Sequence, residues 1–338
     1  MKIKYIYLLF VCFFVKNLKA QDIHFSQIEF TPLALNPALA GATNTMQGIV
    51  SYRSQWNNVA KSFQTSAANF DVLLNRESKK RKGNFGLGIF FFNDQAGEPK
   101  ITTNIVNLHL TYHLIIQKKS TFGLGIYTGY GQKAIGAVDG RWASQYDGSS
   151  FNAALPNGEP LNSPNYSYFD AGAGLLYTFS NTNGYMTQNR NRKINVGLGV
   201  YHLNRPNNSF ASDNGLERLN MRFSSFVNGE IGIENTNVCF LPGIYYQNQG
   251  NANELLLGTY YKYIFNSGAI YTGNKKPLSM SIGLFARVKD AVIGKILLDW
   301  DRYSMGMSYD INTSGLSSVS TYRGGFEIFL RYSMLQKR

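Results

Sequence analysis

Residues 103–114 read TNIVNLHLTYHL, and apolar and polar side chains alternate along this stretch. Successive side chains of an extended strand point to opposite faces. Val106, Leu108 and Leu110 therefore share one face, and Asn107 and His109 share the other. The pattern predicts a strand with one apolar and one polar face. Both a soluble sandwich and the wall of a membrane barrel contain such strands, so the length and number of the repeats must decide between them.

The same alternation recurs along most of the chain, with turn residues between the repeats. Most repeats run for roughly 9–14 residues, which is enough to cross a bilayer when the strand is tilted. Single-chain bacterial barrels have an even number of strands. We therefore predict an all-β fold, a transmembrane outer-membrane antiparallel β-barrel of about 14 strands. The predicted strands are 45–56, 63–75, 84–94, 103–117, 121–133, 167–180, 192–203, 221–233, 236–247, 254–266, 278–288, 292–300, 303–311 and 320–332.

The composition favours the same class of protein. Charged residues make up 16% of the chain, against roughly 25% in ordinary soluble domains, and aromatic residues make up 14%. Beyond the first twenty residues no apolar run reaches the roughly 18 residues that a transmembrane helix needs. The chain is basic, with a formal charge of +13. Exported strands with dispersed charge offer no groove or recognition helix, however, so a nucleic-acid partner is not expected.

The chain divides into three predicted parts. Residues 1–20, with Lys2 and Lys4 before an apolar stretch, resemble a signal peptide that is removed near Ala20 and directs the chain to the outer membrane. Residues 21–44, QDIHFSQIEFTPLALNPALAGATN, lack alternation. They are either a periplasmic leader along the barrel rim or a plug folded into the lumen, where His24, Gln27 and Asn36 would meet residues such as Arg323 or Glu327. Residues 45–338 form the barrel.

If both ends of the barrel chain lie in the periplasm, the two longest connections, around 134–166 and 204–220, both face outward. Long outer loops and short inner turns are the expected asymmetry of such barrels. Many basic residues then fall in or beside inner turns. They are either solvated turn residues or contacts for anionic inner-leaflet lipid or an acidic periplasmic partner. These residues are Arg76, Lys79, Lys80, Arg81, Lys82, Lys118, Lys119, Arg190, Arg192, Lys193, Lys275 and Lys276.

No pattern in the sequence predicts catalysis, a metal or a cofactor. His109 and His113 share a strand face but stand roughly 13 Å apart, and we interpret them as polar residues facing the lumen. No GxSxG, HExxH or paired-cysteine motif occurs, and Cys239 is the single cysteine beyond the predicted signal peptide. Acidic residues of the predicted outer loops, such as Asp94, Asp139 and Asp147, could bind cations, but we interpret them as solvated loop residues.

The order of several motifs resembles that of the PorP/SprF family of type IX secretion system membrane proteins. The resemblance begins with residues 21–44 and YRSQW at 52–56. It continues through FDAGAGLLY at 169–177, YHLNRP at 201–206, PGIYYQNQG at 242–250, SYDIN at 308–312 and GGFEIFL at 324–330. The motifs are specific together, because they occur in this order over nearly the whole chain. The family-motif positions, of unknown role, are Asn36, Pro37, Gly41, Arg53, Gln55, Trp56, Asp94, Gly97, His202, Pro206, Gln249, Arg287, Asp290, Tyr309, Asp310 and Glu327.

This resemblance implies a non-enzymatic component of the type IX secretion system of Bacteroidota. Its expected partners are the secretion machinery, outer-membrane lipid and a large secreted adhesin with a C-terminal sorting domain, for adhesion or gliding motility. The alternative that remains open is a passive or ligand-specific outer-membrane porin, since about fourteen strands can enclose a channel. The predicted inward residues Phe90, Phe92, Tyr127 and Tyr201 would narrow such a channel.

Overall fold

A computed structural model describes residues 24–55, 62–74, 82–97, 100–136, 143–156, 165–181, 189, 191–208, 218–266, 276–315 and 322–334. The predicted signal peptide and Trp56 lie outside these residues. So do Asp139 and the basic residues Arg76, Lys79, Lys80, Arg81, Arg190 and Lys275.

The fourteen predicted strands are all present, each within three residues of its predicted bounds. Each strand pairs antiparallel with its neighbours in sequence, and the first strand pairs with the last to close the barrel. The predicted fold class is confirmed. The strands are β1 Met46–Gln55, β2 Phe63–Leu74, β3 Gly83–Ala96, β4 Ile101–Gln117, β5 Ser120–Ile135, β6 Asn165–Asn181, β7 Arg192–Tyr201, β8 Arg222–Gly232, β9 Val238–Gln249, β10 Ala252–Asn266, β11 Leu278–Arg287, β12 Ala291–Trp300, β13 Tyr303–Asn312 and β14 Arg323–Met334.

Within the described residues, the helical segments are single turns: Ile28–Phe30, Pro32–Leu35, Pro37–Leu39 and Ala143–Gln145. Across the described residues, no helix has both the length and the apolar character needed to cross a membrane.

The two faces of the wall follow the alternation in the sequence. On β4, Leu108 and Leu110 are exposed on the outer face, whereas His109 and Thr111 are buried inside. On β11, Ile282 is 60% exposed. An apolar outer face and a polar inner face reverse the arrangement of a soluble barrel and match a wall surrounded by lipid.

The connections divide the barrel into two ends. We call the end of the two-residue connections 118–119 and 301–302 the turn end, and the opposite end the loop end. The long connections between β5 and β6 and between β7 and β8 both lie at the loop end. The predicted placement of the two longest connections at one end is therefore correct.

The core lies inside the barrel and includes residues that precede β1. Leu33, Leu35 and Ala38 are fully buried against the inner wall. Phe30 stacks on Phe329 of β14 with 3.7 Å between ring centroids, and Phe25 meets Phe92 of β3 edge to face. Residues 24–44 therefore pack against the inner face of the barrel, with aromatic contacts to β14 and β3.

Candidate functional site

Residues 24–44 run through the barrel from one end to the other. At the turn end, the backbone N–H of Thr45 donates to the carbonyl of Met334, and the N–H of Gly41 donates to Asp71 on β2 (2.9 Å). At the loop end, the carbonyl of His24 accepts a hydrogen bond from Arg53 (3.0 Å). We call residues 24–44 the internal segment.

Glycines on the inner face of the wall allow the backbone of the internal segment to approach closely. A Cβ added at Gly125 would lie 2.5 Å from the backbone nitrogen of Ala38, and one added at Gly86 would lie 2.1 Å from the carbonyl oxygen of Ala40. Real Cβ atoms do not approach other heavy atoms so closely, so only glycine fits at these two positions. Gly41 has a φ of +68°, a left-handed conformation that favours glycine.

Asn36 hydrogen-bonds the middle of the internal segment to the barrel wall. Its Nδ2 donates to the carbonyls of Leu175 (2.9 Å) and Leu198 (3.0 Å) on the paired strands β6 and β7. Its Oδ1 accepts from the N–H of Ala38 (2.8 Å), which caps the following helical turn. The carbonyl of Pro37 accepts from Thr111 on β4 (3.0 Å). The family-motif pair Asn36 and Pro37 thus contacts three strands.

Near the loop end, a buried charged cluster holds Ser26. We define this charged cluster as Arg53, Arg287, Asp310 and Glu327, which come from β1, β11, β13 and β14. Arg53 lies 3.4 Å from Asp310 and 3.5 Å from Glu327, and Arg287 lies 3.3 Å from Asp310. Each of the four side chains is at most 4% exposed. Opposite charges and added hydrogen bonds are what make such burial tolerable.

Ser26 forms hydrogen bonds with all four members of the charged cluster. Its hydroxyl donates to Asp310 (2.7 Å) and accepts from Arg287 (2.7 Å) and Arg53 (2.9 Å). Its backbone N–H donates to Glu327 (2.8 Å), as does that of Gln27 (3.1 Å). Glu327 therefore meets the segment as expected, whereas Arg323 is exposed.

His24 lies beside this cluster. Burial lowers the pKa of His24 well below its usual range, and the guanidinium groups of Arg287 and Arg53 lower it further, which favours the neutral imidazole. Nδ1 of His24 is 3.3 Å from Glu254. We therefore interpret this contact as polar and not as an ion pair.

A second buried charge pair holds Glu29 of the segment. The ammonium of Lys295 on β12 lies 2.9 Å from Glu29 and 3.8 Å from the centre of the Phe285 ring. The hydroxyl of Tyr260 also donates to Glu29. Lys295 is almost fully buried, so Glu29 is the partner that compensates its charge.

On the opposite wall, a small cavity remains at the loop end. It has a volume of about 100 Å³ and lies between Phe25 of the segment and inner residues that include Phe92, Asp170 and His202. Asp170 accepts from Tyr127 (2.7 Å) and lies 2.8 Å from Nδ1 of His202. Among the described residues, no group of three or more His, Cys, Asp or Glu is arranged to hold a metal ion.

The remaining family-motif positions are scattered over the loop end. The placement of Asp94 in a solvated outer loop is wrong: it lies on the inner face of β3, is buried, and accepts from Thr65 (2.8 Å). Gln249 donates to the carbonyl of Asn220 (3.3 Å). Tyr309 is exposed on the outer face of β13. The others are Gln55 and Asp290, which accept from Arg53 and Arg287, Gly97 in the turn after β3, and Pro206, whose carbonyl accepts from Leu219.

The inward position or the contacts of several interior residues were not predicted from the sequence. Lys295 and Glu254 are charged residues within otherwise apolar alternation, and that signal could have marked them as facing the lumen. Ser26 lies outside any strand pattern, so its central place had no signal in the sequence. Glu29 is equally hidden, because its partner lies 266 residues away.

The sequence matches one known protein family. The family model described as type IX secretion system membrane protein PorP/SprF matches residues 17–332. No curated protein matches the chain.

Solved structures with a similar course of the chain include three bacterial barrels. The deltaS2 mutant of the monoaromatic hydrocarbon channel TodX has 10% identity and a TM-score of 0.47, covering 91% of this chain and 94% of its own. CdiB from Acinetobacter baumannii has 10% identity and a TM-score of 0.44, covering 86% and 60%. BamA from Haemophilus ducreyi lacking POTRA domains 1–3 has 10% identity and a TM-score of 0.42, covering 86% and 70%. Likenesses at this level carry no argument about function.

Proposed function

The chain belongs to the PorP/SprF family of type IX secretion system membrane proteins, and on that premise we propose that it assists export or surface anchoring of a large adhesin. The adhesin would carry a C-terminal sorting domain and serve adhesion or gliding motility. In this proposal the mature chain begins after cleavage near Ala20, lies in the outer membrane and catalyses no reaction. Its partners are the secretion machinery and the adhesin.

The filled interior is the observation that supports this proposal over a passive porin. A porin needs an open, wet lumen. Here Leu33, Leu35, Ala38 and Asn36 of the internal segment are fully buried inside the wall. We therefore propose that the internal segment plugs the lumen, and that the barrel acts through its ends and not through a permanent channel.

The experiment compares a strain that lacks this gene with the same strain complemented by the wild-type gene. We expect one large adhesin to disappear from the cell surface in the deletion strain, while the uptake of small hydrophilic solutes stays nearly unchanged. Surface labelling of intact cells measures the first, and dye or antibiotic uptake measures the second.

The porin alternative makes the opposite prediction, namely reduced uptake of small solutes with normal adhesin on the surface. The conductance of purified protein in planar bilayers tests the porin alternative independently. A stable open conductance of the wild-type barrel would contradict the plug, whereas a largely closed barrel agrees with it.

A further inference from the structure

Basic side chains are concentrated on one sector of the turn end. Lys82, Lys118, Lys119 and Arg192 are all exposed there. They lie on neighbouring connections. The carbonyl of Lys82 accepts from the N–H of Ile115 (2.7 Å), the carbonyl of Lys119 accepts from Ser180 (2.8 Å), and Asn181 pairs with Arg192. We call these four cations the basic sector.

The described part of β3 to β7 contains no Asp or Glu near the turn end. The nearest acidic residue on the adjoining strand is Glu230 of β8, which stands opposite Lys193, beside Arg192. The described cations on the other side of the same end differ, because they have partners. Lys276 lies 3.3 Å from Asp301, and Lys262 lies 3.6 Å from Asp299. Arg302 donates to the hydroxyl of Tyr332 (3.3 Å). We call this side, which includes Lys276 and Arg302, the paired sector.

The basic sector lies directly at the boundary of the apolar outer face. On β4, outward apolar residues run from Val106 to Ile116, and the polar Asn104 precedes them. At about 3.4 Å per residue this band is roughly 34 Å long along the strand. With a tilt of about 40° its height is roughly 26 Å, close to the apolar band of about 25 Å in outer-membrane barrels. Lys118 and Lys119 follow after Gln117, which places them at the level expected for the lipid headgroups.

The tip of β4 has a second interfacial feature. Leu114, Ile115 and Ile116 are consecutive and all exposed, and the lysine pair follows them. An exposed apolar run of this kind is unfavourable in water. Apolar groups beside flexible cations suit the boundary between acyl chains and anionic headgroups.

We propose that the basic sector binds the headgroups of anionic phospholipids in the leaflet at the turn end, with acyl chains against Leu114 and Ile116. Lipid is favoured over an acidic protein because the cations continue a lipid-facing apolar band and do not form a separate surface. The site orients the barrel relative to the leaflet and gathers anionic lipid on one side of it.

The test uses the full mature protein in phosphatidylcholine vesicles and spin-labelled phosphatidylglycerol or phosphatidylcholine as the probe. The quantity measured is the ratio of the two lipids' association constants with the barrel. Two variants remove the same number of charges, Lys118→Gln with Lys119→Gln in the basic sector and Lys276→Gln with Arg302→Gln in the paired sector. All four positions are exposed or partly exposed turn residues, and the folded state of each variant is verified by its heat-dependent mobility in gels.

We expect the wild type to prefer phosphatidylglycerol, more strongly at low salt than at high salt. Each lost cation of the basic sector should lower the ratio by up to about fivefold, the factor equivalent to about 1 kcal/mol. The paired-sector variant should keep the wild-type ratio. The proposal is overturned by a wild-type ratio near one, or by equal losses in both variants. It is also overturned if soluble polyglutamate binds the wild type while the lipid preference is absent, since the surface then serves an acidic protein.

Discussion

Replacing Gly125 by alanine tests how closely the internal segment approaches the wall. The new Cβ would lie 2.5 Å from the backbone nitrogen of Ala38 and 2.6 Å from the carbonyl carbon of Pro37. Both contacts are to backbone atoms, so no flexible side chain can move away to relieve them. The segment must shift, and the hydrogen bond from Thr111 to Pro37 (3.0 Å) is then stretched or lost.

The free energy that docks the internal segment should fall by the cost of overpacking, which is about 1–3 kcal/mol in a well-packed interior. Converted to an equilibrium constant, this raises the ratio of released to docked segment about 5- to 160-fold. A protease that cuts only the released form should cleave within residues 24–44 faster by the same factor, provided that release and docking are fast relative to cleavage.

The assay is limited proteolysis of the folded protein in detergent, with the barrel's heat-dependent gel mobility as the measure of folding. Gly294→Ala is the matched control, since a Cβ added there meets nothing within 4 Å. We expect the control to be cleaved at the wild-type rate. The reasoning is refuted if Gly125→Ala and Gly294→Ala are equally resistant, or if the wild-type segment is removed quickly while the barrel stays intact.

Three further predictions concern the wall, the buried charges and pH. Leu110→Arg on the outer face should lower the free energy of unfolding by about 2–4 kcal/mol in refolding titrations into lipid. The control Leu110→Met should leave this free energy nearly unchanged. Equal stability of the two variants would contradict our assignment of the faces. Lys295→Met should lower the free energy of unfolding, because it leaves the partly buried Glu29 without its cation; since Glu29 is 13% exposed, the loss should be at the lower end of about 3–5 kcal/mol. Adding Glu29→Gln should restore part of the loss, and additive effects of the two substitutions would argue against the pair. The pKa of His24 is lowered in the folded state, so the stability that neutral His24 contributes is present above its unfolded pKa of about 6.5 and is lost as the pH falls below that value. Proteolysis of the internal segment should therefore increase in acid more for the wild type than for His24→Gln. Identical pH profiles would show that His24 does not cause the pH dependence.

The sequence alone determined the wall of this protein. Period-two alternation is a local property, because each residue's face depends only on its place along its own strand. The strands, the closed antiparallel architecture and the outward position of residues such as Leu110 and Ile282 could therefore be predicted. The family also followed from the order of short motifs along the chain.

Only the tertiary structure decided what the inner face contacts. Ser26 reaches Glu327 across 301 residues of sequence, and Asn36 reaches Leu175 and Leu198 across 139 and 162. These contacts exist because the closed barrel brings β1, β11, β13 and β14 to one level around a segment that has no strand periodicity. Alternation shows that Arg53 and Glu327 point inward, but it contains no information about which inward residues meet. That depends on the register of the closed sheet and on the path of the segment inside it.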